Sequence, residues 1–543
     1  MRTLTLLCLL TTLLHFQTHA QLQPAAQHRP RLSTTNGYTE LSVDGRPFLI
    51  RGGELGNSSA SSASYLEPIW AKLAKMHLNT LIAPVYWDLM EPKEGKFDYA
   101  LVDNLISGAR RHNLKLVLLW FGTWKNSMSC YAPVWVKTDL TRFPRAAGAA
   151  GRPEEIVTPF SKNAIAADKD AFTALFRHLK AVDGLRHTVL MVQVENEIGM
   201  LPEARDHSPL ANEAFNTPVP QSLIDYLVSH RATLVPEIRD LWQQKGDPIA
   251  GTWEDVFGKS PATDEIFMGW YFGVYVQEIA KAAKAIYDIP LYLNAALNAP
   301  GKRPGQYPSA GPLPHLWDIW KAAAPSVDFL SPDFYNPNFR YWNDRYAREG
   351  NVLFIPEHRF EAGADVKALY AFGHYHAIGF SPFSIESTAK PEAEPIGKCY
   401  DLIGQLAPAI SKAGKQGSLD AVLLSKADDS TQLEMGDYRI TAAHELKLGW
   451  SSKAKDSVWP LTGAIIIGLA PDEFYVAGTG VVLSFQPKTG NGRAGILSLE
   501  EGGFINGNWQ PGRHMNGDQD HQGRHLRIPE GEYSIQRIKL YTY

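Results

Sequence analysis

MVQVENEIGM (residues 191–200) is an apolar run that halts at two carboxylates, Glu195 and Glu197, with one asparagine between them. A buried carboxylate without partners is costly, so such a run stops where water or a ligand reaches it. Extended back to Thr188, the run becomes TVLMVQVE, apolar on both faces as strands of a parallel sheet are. The fold is decided by how many such strands there are and what separates them.

Working outward, TELSVDGRPFLIRGGE carries Asp44-Gly45 between alternating residues, a hairpin signal, and ends in the strand IRGG. SYLEPIWAKLAKMH then puts Leu66, Ile69, Trp70, Leu73 and Met76 on one helical face. The strand NTLIAPVYW follows, and Asp98 caps a helix bearing Leu101, Leu105 and Ala109. After LKLVLLWF come a loop-rich insert (121–165), a helix (168–183), the strand 188–195 and a proline-rich insert (200–262). Helices over 266–286, 314–323, 338–348 and 364–375 then alternate with PLYLN (290–294), VDFLS (327–331), NVLFIP (351–356) and AIGFSPF (377–383).

Eight parallel strands alternating with helices predict a (β/α)8 TIM barrel, an α/β fold. A doubly wound open sheet is the alternative, but it wants a glycine-rich phosphate turn after an early strand, and the sequence has none. Beyond SKAGKQGS (411–418) the period turns to two, in GAIIIGLA, EFYVAG, GVVLSF and YSIQRIKLYTY. That predicts an all-β, sandwich-like C-terminal domain, its role left open between binding carbohydrate and packing on the barrel or a partner subunit. The expected organisation is a signal peptide (1–20), a flexible segment (21–37), the barrel (38–410), a linker (411–418) and the β domain (419–543).

The signal peptide is read from Arg2, the apolar core Leu4–Leu14 and the small-polar ending Thr18-His19-Ala20, a run too short to span a membrane. Export to the periplasm or outside follows. It leaves Cys130 and Cys399, and Cys399, in step with Ile403, Leu406 and Ile410, reads as a buried free thiol. A net charge of −4 without a basic block argues against nucleic acid and anionic membranes as partners. No metal-type spacing appears, so neither metal nor cofactor is expected.

Catalytic groups of such barrels sit at the carboxyl ends of the strands. Those ends offer Glu54 on the first, Glu91 beyond the second, Glu195 and Glu197 on the fourth, Tyr335 after the sixth and Glu357 after the seventh. Strands four and seven face each other across the axis. Two carboxyls there, about 5–5.5 Å apart, suit a retaining glycosidase: one attacks the anomeric carbon, the other protonates the leaving oxygen and later activates water.

The order of strand ends, with LNTLIAPVYWDLMEPKEGKFDY (78–99) and QVENEIG (193–199), resembles the clan A retaining glycosidases, and within them glycoside hydrolase family 35. The resemblance covers about residues 45–390, and WFGTWKNS and FIPE look like a bacterial branch that includes a β-galactosidase trimming xyloglucan side chains. It implies that Glu197 is the acid/base, Glu357 the nucleophile, Asn196 a partner of the sugar 2-hydroxyl and Tyr335 a partner of the nucleophile. Glu195 is then a structural neighbour. The family's tyrosine on strand two falls at Pro84, and its Ala-Glu-Trp element after strand three is replaced by Trp124, Lys125 and Asn126. Trp124, as a stacking surface, Asn126 and Glu54 therefore join the expected sugar contacts. Arg51 and Arg359 are candidates for keeping the nucleophile ionised.

The expected activity is an exo-acting retaining β-galactosidase acting on oligo- or polysaccharides with terminal β-D-galactose, the insert 200–262 walling the pocket. Another clan A β-glycosidase, specific for glucosides or mannosides, and a catalytically silent carbohydrate-binding protein stand as alternatives. A homodimer is left open.

Overall fold

The computed structural model describes residues 29–505 and 507–543. The expected signal peptide and residues 21–28 lie outside them. The expected flexible segment (21–37) is structured where it is described: its strand Arg31–Thr35 pairs with Tyr38–Val43, and Arg46–Phe48 completes a three-stranded antiparallel sheet. Its hairpin turns at Asp44 and Gly45, both at positive φ (53° and 75°), as the tight turn requires.

Eight parallel strands close into a barrel: Ile50–Glu54, Thr80–Tyr86, Lys115–Phe121, Val189–Gln193, Leu291–Ala296, Phe329–Phe334, Phe354–His358 and Gly379–Pro382. Pairing of Gly379 with Ile50 shuts the ring and excludes an open sheet. Thr80–Tyr86 is buried along its whole length, the reason its sequence shows no alternation. At the closure the pair Gly52-Gly53 is obligatory, because a Cβ on Gly52 would lie 2.2 Å from Ser381 Oγ. Helices cover the outside, and three of them start on side-chain caps: Ser62 accepts from Tyr65 N, Ser161 from Ala164 N and Ser260 from Thr263 N.

The proline-rich insert folds into short helices, Pro209–Phe215, Gln221–Ser229, Pro236–Gln244 and Trp253–Phe257. They are held on the outer helix Trp317–Ala323, where Asp318 accepts from Val235 N (2.7 Å) and the Tyr226 hydroxyl (3.3 Å). Cys130 and Cys399 are both free, and Cys399 is buried, donating to Asp365 O (3.2 Å). Among the described residues no helix is long and apolar enough to cross a membrane.

The expected linker 411–418 is not one. Residues 411–416 end the helix Pro395–Gln416, Gly417 stops it in the left-handed conformation (φ 67°), and the next strand starts at Leu419. Small polar residues look like linker when read for apolar bulk. Here smallness serves contact: a Cβ on Gly414 would come within 2.1 Å of the Tyr38 ring, and Ser411 donates to Glu40 (2.7 Å).

The C-terminal part is a β-sandwich of antiparallel sheets, six-stranded (419–424, 462–470, 473–479, 534–542, 494–505, 508–514) and four-stranded (430–435, 438–444, 481–487, 526–528). Val422, Ile440, Ile466, Val476, Leu483 and Ile538 fill the space between them. The other face of the six-stranded sheet joins the barrel's core through Ala421, Ile465, Ile467 and Ile535. Strand Thr462–Ala470 is thus apolar on both faces, Ile465 and Ile467 toward the barrel and Ala464 and Ile466 toward the sandwich.

The seam is tight at Gly373, where a Cβ would meet Ala421 Cβ at 2.5 Å and Asp420 O at 2.9 Å. Gly373→Val is expected to cost about 1–3 kcal/mol by overpacking, read as a lower denaturant midpoint. An unchanged midpoint would show that the seam yields freely.

Candidate active site

After strand four ends at Gln193, the chain makes a turn that L-residues disfavour. Glu195 (φ 60°) and Glu197 (φ 45°) are both left-handed, with Asn196 between them. The loop after strand three has the same strain at Asn126 (φ 49°) and Ser127 (φ 68°). Each segment holds the other. Asn196 N donates to Trp124 O (3.2 Å), Asn126 N to Asn196 O (3.1 Å) and Ser127 N to Glu197 O (3.1 Å). From strand five, Asn294 Oδ1 accepts Glu197 N (2.9 Å).

Glu195 and Glu197 face different environments. Glu195 is fully buried; its Oε2 accepts Trp124 N (2.6 Å), and it shares a hydrogen bond with Asp168. Asp168 also accepts from Trp120 Nε1 (2.8 Å), Thr123 Oγ1 (2.6 Å) and the Tyr275 hydroxyl (3.1 Å). Burial first, then the neighbouring Asp168 charge, pushes the Glu195 carboxyl far up, so it stays neutral and ties the strand end to helix Lys162–Asp183.

Glu197 belongs to a group of carboxyls in the barrel mouth, with Glu54, Asp333 and Glu357. All four are buried, and their charges shift one another. Asp333 and Glu357 are paired in register on strands six and seven, which sets their side chains side by side. Asp333 accepts from Asn294 Nδ2 (2.6 Å) and hydrogen-bonds Glu197. Its carboxyl is held well above the usual range, by burial first and then by the charges of Glu357, Glu197 and Glu54. Glu357 accepts from the Tyr335 hydroxyl; burial, then the Glu197 charge, pushes it up to about 7. Glu197 is also raised by burial, against the opposing effects of Lys125 and of hydrogen bonds from Asp333 and Asn126.

Glu54 differs from the other three. It is 2% exposed, yet among the described residues no group hydrogen-bonds its carboxyl. Burial and the Glu357 charge hold it well above its usual range. The Asn196 side-chain amide, buried beside Glu197, is likewise without a partner at both its nitrogen and its oxygen.

The structure therefore brings Glu54, Asn126, Asn196, Glu197, Tyr335 and Glu357 together at one mouth. Trp124 is excluded as a stacking surface. It is 0% exposed, donates through Nε1 to Val157 O (3.1 Å) and is packed against Phe272 and Tyr275. A tryptophan beside polar residues reads as a sugar platform; this one contributes its backbone instead. Arg51 does not reach the nucleophile either, since its Nε donates to His77 O (3.2 Å) beside Gly404. Arg359 lies at the rim over the Tyr335 ring (5.6 Å). Glu91 holds Trp87 Nε1 (2.7 Å) and Gly95 N (2.7 Å). Sequence reasoning missed Asp333 and Asn294 as members of the site. The predicted sixth strand stopped at residue 331, whereas it runs to Phe334 and carries Asp333 into the mouth.

Residues 62–224 match the glycoside hydrolase family 42 model, described as Beta-galactosidase, and residues 396–527 match a domain of unknown function, DUF5597. The first match is to family 42, not family 35; it includes Glu197 and ends before Glu357. No curated protein matches the chain. Among solved structures, the chain is similar to the β-galactosidase of the psychrophilic Marinomonas ef1, at 12% identity and TM-score 0.47, over 67% of this chain and 61% of that one. It is similar to the β-galactosidase of Bacillus circulans sp. alkalophilus at 13% identity and TM-score 0.45, over 67% and 57%. The catalytic domain of β-amylase from Paenibacillus polymyxa is similar at 12% identity and TM-score 0.42, over 64% and 94%. The chain thus spans about three fifths of the length of the two β-galactosidases.

Proposed function

We propose that the chain is an exported, exo-acting β-galactosidase that retains anomeric configuration, with Glu357 as nucleophile and Glu197 as acid/base. The observation that carries this reading is the pair itself: two buried carboxyls at the ends of strands four and seven, where the charge of Glu197 raises the proton affinity of Glu357. The family 42 match supports the sugar class, and the sequence resemblance to family 35 supports xyloglucan side chains as a substrate.

Burial raises both carboxyls, Glu357 to about 7. In the reactive state a proton sits on Glu197, and the Tyr335 hydroxyl stabilises the charge on Glu357. A Glu357 oxygen bonds to the anomeric carbon while the bond to the leaving oxygen breaks, and the Glu197 proton goes to that oxygen. The Glu357 charge is then lost in the ester. Glu197, now ionised, takes a proton from water as the water oxygen bonds to the anomeric carbon, and the ester bond breaks to restore Glu357. The unpartnered Asn196 amide and the bare Glu54 carboxyl are the groups a sugar's hydroxyls would satisfy.

Nitrophenol release from aryl β-D-galactoside, beside the glucoside and the mannoside, tests this. Glu197→Ala is expected to lose about 10²–10⁴ in turnover and to regain part of it with azide as galactosyl azide. Turnover confined to glucoside or mannoside would keep the mechanism and discard the sugar; no turnover on any glycoside would contradict the reading.

The same carboxyls predict how stability depends on pH. Below pH 4.5 Glu357 is protonated whether folded or not; between 4.5 and about 7 only the folded chain keeps the proton, so stability falls as pH rises and the loss is complete above 7. Glu357→Gln removes that loss. By denaturant unfolding it is expected to match wild type near pH 4 and exceed it by up to about 3 kcal/mol at pH 8. A variant less stable than wild type at both pH values would contradict the assigned shift.

A further inference from the structure

We infer that Lys125 is a positioning residue for Glu197: its ammonium fixes the orientation of the Asn126 amide, and that amide fixes which Glu197 oxygen presents the proton. The inference rests on the proposed role of Glu197 as acid/base. Lys125 is 7% exposed, and among the described residues it forms no ion pair within 4 Å, although carboxyls surround it. Its ammonium lies over the Phe121 ring (5.2 Å) and donates to Asn126 Oδ1. Burying an ammonium against an amide rather than a carboxylate costs stability, so the fold keeps it at some expense.

The chemistry of the amide gives that expense a purpose. A lysine can only donate, so it must take the oxygen of Asn126 and leave Nδ2 for the other side. Nδ2 then donates to Glu197 Oε2. An oxygen that receives this bond is the acceptor of the carboxyl, which leaves the acidic proton to Oε1. Without the ammonium the amide is free to turn over and set oxygen against oxygen, and the acid loses its fixed orientation. The backbone is already committed to this arrangement, since Lys125 bridges to Asn196 and Asn126 N bonds Asn196 O.

The charged and titratable groups that face Glu197 are Lys125 from the strand-three loop, Asp333 from strand six, Glu357 from strand seven and Glu54 from strand one. Among the described residues, Lys125 is the cation that acts on Glu54, Glu197 and Glu357 alike, and it lowers all three. Removing it raises them.

The test compares wild type, Lys125→Met and Asn126→Asp on phenyl β-D-galactoside, whose leaving group needs a proton, and on the dinitrophenyl galactoside, whose leaving group does not. For Lys125→Met, kcat/KM on the phenyl glycoside is expected to fall about 100-fold and on the dinitrophenyl glycoside less than about 5-fold. The alkaline limb on the phenyl glycoside is expected to move up by about one pH unit. Asn126→Asp, which presents an acceptor to Glu197 with the lysine retained, should show the same split between substrates. The ratio of the two substrates does not depend on how much protein is folded. Equal losses on both glycosides with an unmoved limb, or no loss, would overturn the role of Lys125 while leaving the glycosidase reading intact. A wild type that hydrolyses neither would overturn both.

Discussion

Among the described residues, four carboxyls are buried in one barrel mouth with a single lysine acting on three of them, and the surrounding structure answers the cost of keeping them there. Like charges that close cannot all ionise, so protons stay on the cluster near neutral pH. Asp333 and Glu54 are held well above the usual carboxylate range, while Glu357 is pushed up to about 7 beside the raised Glu197. Glu195, two residues beyond the apolar strand and fully buried, is kept neutral by burial first and then by Asp168 outside the mouth, and takes no part. Identical side chains thus acquire different roles from their surroundings.

The barrel makes that concentration of charge possible. Eight parallel strands point their carboxyl ends at one opening, so residues far apart in sequence converge there without any strand having to bend. Their precise presentation falls to loops. The segments 124–128 and 195–197 each contain residues in the left-handed region, and each is held by backbone bonds from the other. The strain sits where the acid must be aimed, and the reciprocal bonds keep it there.

Much of this was legible in the sequence because it depends on burial. A strand buried on both faces has to be apolar throughout, and a carboxylate that ends such a strand stands out, as Glu197 and Glu357 do. What escaped reading depends on partners. Asp333 looked like part of a loop because a proline precedes it, although Pro332 lies within the strand. Trp124 looked like a sugar platform because its neighbours are polar, and no pattern in the sequence says that Phe272 and Tyr275 cover it. The supposed linker 411–418 failed for a related reason, since small residues mark flexibility and close helix contact equally well.

The central claim is that Glu357 becomes covalently attached to the sugar during turnover. Incubation with 2-deoxy-2-fluoro-galactosyl fluoride, whose fluorine slows release of the intermediate, followed by peptide mass spectrometry, tests it directly. The account predicts one 2-deoxy-2-fluorogalactosyl adduct per chain, with loss of the anomeric fluoride, on the peptide containing Phe354–His358, with the ester on Glu357. An adduct on Glu54, Glu195 or Glu197, or complete turnover of the probe with inversion and no adduct, would contradict it.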